Sequence, residues 1–138
     1  MATITRFEDL EVWKKARVLC KDIHAILSCG SLATDYRLRD QMNGSSGSIM
    51  DNIAEGFERD GNNEFILFLA YSKGSAGELR SQLVRTLDRN HITQQQFDAL
   101  NEQTVEIGRM LSGLISYLKT SDIRGNKFKD RKQKASRI

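Results

Sequence analysis

The stretch QMNGSSGSIMDNIAEGF, residues 41–57, separates two fold classes. Its glycines and serines have the composition of a phosphate-cradling loop, which would demand a buried strand before it and an α/β sheet. A P-loop also needs G-x-x-x-x-G-K-[ST], so that backbone amides and a lysine meet the phosphates. No lysine follows Gly44 or Gly47, and the preceding DYRLRDQM is helical in character. The stretch also carries Ile49, Ile53 and Phe57 four residues apart, one stripe of a helix. It therefore reads as a helix interior. Gly44 and Gly47, with a second strip at Gly74 and Gly77, read as surfaces that bring two helices close, since each helical glycine costs about 1 kcal/mol against alanine.

Working outward, the same period recurs along the chain. A first helix starts near Phe7, with Thr5 and Glu8 as a capping box. It carries Val12, Ala16, Leu19, Ile23 and Ile26 on one stripe and Leu10, Trp13, Cys20 and Leu27 on a second. Together these make an apolar face wider than one partner helix needs. A second helix spans Asp35 to Arg59, and RDGNN breaks it. A third runs from Asn63 to Arg89 through Phe65, Phe68, Leu69, Ser72, Ala76, Leu79, Leu83 and Leu87. NHIT turns the chain, with Thr93 as N-cap. The fourth helix repeats Phe97, Leu100, Thr104, Ile107, Leu111, Leu114 and Leu118 in a heptad-like series. Four amphipathic helices with short connections predict an all-α, antiparallel up-down four-helix bundle over residues 1–120.

The 138 residues suffice for one core, and the absence of proline favours long helices. FILFLAY, residues 65–71, is too short to span a bilayer, and the N-terminus lacks a signal peptide's apolar segment. Cys20 and Cys29, read as sharing one helix, would lie about 13 Å apart, too far for a disulfide. A reduced, cytoplasmic setting is expected, with no membrane partner.

Catalytic and metal readings fail on spacing. Neither His24 nor His91 has a glutamate three residues before it, so the Glu-x-x-His pairs of a di-metal bundle are missing. Asn52, Glu55 and Arg59 form a polar line in NIAEGFER. They read as a network, with Glu55 paired to Arg59 at i+4 and Asn52 bonding across helices. His24 reads as a partly buried packing residue and His91 as a turn residue. No enzyme, metal or cofactor is expected.

Charge offers the functional lead. The segment from Ser121 onward carries Arg124, Lys127, Lys129, Arg131, Lys132, Lys134 and Arg137 against Asp122 and Asp130. It holds +5 of a chain whose net charge is +3, leaving −2 for the body. This segment, 121–138, reads as a flexible basic tail. Two helix stripes add candidates: Lys14, Lys15, Arg17 and Lys21 on the first helix, and Arg80, Arg85 and Arg89 on the third. Basic stripes and arms of this kind can track phosphates, releasing counterions.

FEDLEVWKKARVL, SIMDNIAEGFERDGNNEFILFLAYSKGSAGELRSQL and LSGLISYLK resemble a bacterial four-helix-bundle family. That family includes proteins encoded in intervening sequences of large-subunit rRNA genes and the accessory proteins of diversity-generating retroelements. The resemblance covers roughly residues 7–120 and marks Asn52, Glu55, Gly56, Arg59, Gly74, Gly77 and Glu78 as its structural signature. It implies a homopentameric ring, no known catalysis and, for the retroelement members, contact with nucleic acid and a reverse transcriptase. The expected function is a non-enzymatic oligomeric scaffold that binds nucleic acid; the alternative is a protein-interaction module that docks a partner such as a reverse transcriptase.

Overall fold

In the computed structural model, residues 3–127 are described. They form four helices: α1 (Glu11–Leu27), α2 (Tyr36–Glu58), α3 (Asn62–Asp88) and α4 (Gln94–Lys127). Short 3-10 turns at Phe7–Asp9 and Gly30–Thr34 precede α1 and α2. There is no strand among the described residues. α1 packs on α2 and α4, and α3 packs on the same two, so α1 and α3 stand at diagonal corners of an up-down bundle.

The apolar stripes meet along the axis. Leu19 and Ile23 of α1, Ile49 and Ile53 of α2, Leu79 and Leu83 of α3, and Ile107 and Leu111 of α4 are all buried. A polar seam runs through the α2–α3 interface. Ser72 Oγ donates to the Ile49 carbonyl at 2.7 Å, Ser48 and Ser75 hydroxyls meet at 2.9 Å, and Ser45 Oγ donates to Gln82 Oε1. Among the described residues no buried side-chain nitrogen or oxygen lacks a partner, as a cooperative core requires.

Helix ends follow local chemistry, with one correction. At α4, the Gln96 amide donates to Thr93 Oγ1 at 3.1 Å while the Thr93 amide donates to Gln96 Oε1 at 2.8 Å. This is the reciprocal capping box, with Thr93 as expected. α3 ends through Asn90 at φ 59, a left-handed position that asparagine tolerates, and begins after Gly61 at φ 87. The Thr5–Glu8 box is not formed. α1 starts four residues later than Phe7, after an extended Leu10 that has no side-chain cap. The break lets Leu10 enter the core and sets Phe7 edge-on against Trp13 at 5.2 Å, while Arg6 draws on Glu8 and Asp9.

That break also removes the surplus apolar width read from α1. Leu10 and Leu27 are buried within the chain, and Trp13 is half-covered beside Phe7. Val18 is the large apolar side chain of α1 left exposed. Cys29 lies past the end of α1, and both cysteines are free thiols. Arg124 and Lys127 belong to α4, so helix continues beyond the boundary placed at Thr120. Lys129, Arg131, Lys132, Lys134 and Arg137 lie outside the described residues.

One end of the bundle is fastened by a polar clasp. His91 Nε2 lies 2.8 Å from Asp35 Oδ2 and its Nδ1 2.7 Å from Ser31 Oγ, while Arg89 Nη1 donates to Asp35 at 2.9 Å. His91 thus does more than turn the chain: it ties the α3–α4 turn to the start of α2. These bonds, first from His91 and then from Arg89, hold the Asp35 carboxyl below its ordinary value of 3.8. A depressed folded pKa stabilises the fold above the unfolded value, and that contribution is lost as pH falls through the folded one. Thermal melts should therefore show Asp35→Asn lowering Tm at neutral pH, with the gap to the parent closing below pH 3.8. A gap that persisted unchanged into acid would show that the carboxylate charge is not what holds the clasp.

Candidate nucleic-acid interface

The basic residues expected to act together are separated by the fold. α1 and α3 are diagonal, so the stripe of Lys14, Lys15, Arg17 and Lys21 and the stripe of Arg80, Arg85 and Arg89 face different sides. Most of these cations are also occupied. Lys14 pairs with Glu11 at 3.2 Å and Lys15 with Glu106 at 3.6 Å. Arg17 lies over the Trp13 ring at 5.9 Å. Arg85 donates to Gln41 at 3.2 Å, and Arg89 belongs to the Asp35 clasp. Exposed pairs of this kind contribute little stability, yet they cancel the field a polyanion would feel. Lys21 and Arg80 remain without an ion pair among the described residues.

A different set of cations converges. Between α3 and α4 runs a groove of about 420 Å³, lined by Lys73 and Arg80 from α3 and Arg109 from α4. All three side chains are exposed and make no ion pair among the described residues. The groove's remaining lining is small or apolar, including Gly77, Gly108 and Ser112, and contains no carboxylate. Three other grooves each carry at least one: Glu11, Asp22 and Glu106 in the α1–α4 groove, Asp51 and Glu55 beside Gly44 and Gly47, and Asp40 near His24. Sequence reading missed Lys73 and Arg109 because they lie 36 positions apart on different helices. The available signal was negative: no acidic residue occurs from Phe65 to Gly77 or from Ile107 to Thr120.

The glycine strips are not packing devices. A Cβ added at Gly44, Gly47, Gly74 or Gly77 would meet nothing within 4 Å. These glycines face outward or line grooves, because they fall off the buried stripes of α2 and α3. The close approach occurs at Gly56, where a Cβ would meet Phe68 Cβ at 2.6 Å and Phe65 Cδ1 at 3.1 Å.

The polar line of α2 is structural. Arg59 Nη2 donates to Glu55 at 2.9 Å, as expected, and also reaches Glu64 at 3.7 Å and the Phe68 ring at 4.9 Å. Asn52 bonds within its own helix, to the carbonyl and hydroxyl of Ser48, because Ser48 and Ser75 already bridge to α3. Glu78 is exposed, as is His24, which was expected to be partly buried. Among the described residues, no group of three or more His, Cys, Asp or Glu could hold a metal ion.

These features define a helical bundle whose distinctive surface is an unbalanced cationic groove. The family model for the 23S rRNA-intervening sequence protein matches residues 8–113, and the chain belongs to that family. Its fold is similar to the crystal structure of a protein of unknown function from the S23 ribosomal protein family of Bacteroides thetaiotaomicron. That likeness has a TM-score of 0.69 at 23% identity, covering 75% of this chain and 97% of the other. No curated protein matches the chain. No helix among the described residues is long and apolar enough to cross a membrane.

Proposed function

We propose that this protein is a non-enzymatic, self-associating scaffold of the cytoplasm that holds RNA or DNA by charge. The observation that carries the reading is the α3–α4 groove, whose lining holds no carboxylate and whose Lys73, Arg80 and Arg109 make no ion pair among the described residues. The basic residues from Arg124 onward add to it, because phosphate neutralisation sums over every cation within reach. The family's description refers to the intervening sequence of a ribosomal RNA, which agrees with a nucleic-acid setting. In a ring of five subunits, as the family resemblance implies, each weak contact would be repeated, and effective concentration would multiply them.

The test is a filter-binding salt titration with structured RNA and duplex DNA, using the full chain and a chain cut after Lys127. The cut removes five basic residues and Asp130 while leaving every described element in place. The expected result is weaker binding and a shallower salt slope, at roughly 0.9 per lost phosphate contact on duplex DNA. Tm should stay unchanged. Failure of the full chain to bind either nucleic acid at low salt would end this reading.

A second reading is a protein-docking module, with a reverse transcriptase as the expected partner class. It is favoured by the outer face of α3, where Leu67 and Tyr71, four residues apart, are exposed beside Ala70 and Gly74. Apolar surface of this kind, gathered on one helix face, suits a protein contact.

A further inference from the structure

We infer that the α3–α4 groove seats the sugar–phosphate backbone of a nucleic-acid duplex and reads no bases. This inference rests on the nucleic-acid reading above and assigns its site and mode.

Charge selects the occupant. Lys73 and Arg80 lie two turns apart on one wall, about 10.5 Å along α3 at 1.5 Å per residue, and Arg109 faces them from α4. Three cations that make no ion pair among the described residues, with no carboxylate in the lining, fit a run of phosphates and repel a cationic partner. Glu78, the one acid in the central half of α3, does not line the groove. The nearest acid on α4, Glu106, is bound to Lys15 across the α1 side.

Shape selects the mode. Single-strand sites add aromatic rings on which bases stack, and no aromatic residue lines this groove. Its floor is instead open at Gly77 and Gly108, where an added Cβ would touch nothing within 4 Å. A narrow ridge such as a phosphate backbone can thus approach the helix backbones closely. Contacts of this type fix position without carrying sequence information.

Two variants of the full chain separate charge from shape. Lys73→Ala/Arg80→Ala/Arg109→Ala should lower the duplex salt slope by about 2.7, three contacts at 0.9 each. Gly77→Leu/Gly108→Leu leaves the charge untouched and fills the groove at positions where an added Cβ meets nothing within 4 Å. It should melt no lower than the parent, since both helical glycines are replaced where space is open, and keep the light-scattering mass, yet bind duplex roughly tenfold more weakly at 50 mM salt. Random-sequence duplexes should bind alike, and duplex should bind no more weakly than an unstructured single strand. If the filled variant binds like the parent while both bind duplex, the inference falls and the general reading stands. If a polyglutamate peptide binds the parent but not the triple-alanine variant and nucleic acid does not bind at all, both fall, and an acidic protein partner is the occupant.

Discussion

Replacing Gly56 by alanine is expected to destabilise the bundle, although alanine is the better helix former by about 1 kcal/mol. A Cβ at this position would sit 2.6 Å from Phe68 Cβ, 3.1 Å from Phe65 Cδ1 and 3.4 Å from the Phe65 carbonyl oxygen. The Phe68 atom is the root of its side chain and cannot rotate away, so α2 and α3 must part. Overpacking of this kind costs about 1–3 kcal/mol, enough to overcome the helix-propensity gain. The same substitution at Gly44 or Gly47 should have the opposite sign. There an added methyl meets nothing within 4 Å, and stability should rise by about 0.5–1 kcal/mol. Urea melts of the three single variants provide the comparison. A Gly56→Ala protein as stable as the parent would refute the close α2–α3 contact.

The second large effect comes from two leucines of one helix. Leu79 is fully buried, whereas Leu67 is 47% exposed on the outer face of α3. Leu79→Ala should cost about 2–5 kcal/mol, combining lost transfer free energy with a cavity that the bundle closes only partly. Leu67→Ala should stay within about 0.5 kcal/mol in the isolated chain. A large loss at Leu67 that depends on protein concentration would mean that another chain covers this face, since association stabilises by mass action.

Most of the architecture is present in the sequence. Stripes such as Leu100, Thr104, Ile107, Leu111 and Leu118 on α4 were all legible and are all buried, because a helix must bury one face and its period is 3.6 residues. The Thr93 cap was legible because its partner Gln96 is only three residues away. The Glu55–Arg59 pair is likewise local. Gly56 could have been singled out, since it continues the buried series Met42, Ser45, Ile49 and Ile53, while Gly44 and Gly47 depart from it.

The elements, their buried faces and the family are all written into the order of residues. Each depends on side chains within a turn or two of one another. Which cations are left free is set by how the helices pack. Lys15 sits in the sequence much as Lys73 does, but Glu106 of α4 lies within reach of the first, and the second makes no ion pair among the described residues. The turn that lets Leu10 into the core, and so uses up the apolar width of α1, was decided the same way. Ion pairing and burial depend on which side chains the packed helices bring within a few ångströms, and those distances do not exist until the four helices have met.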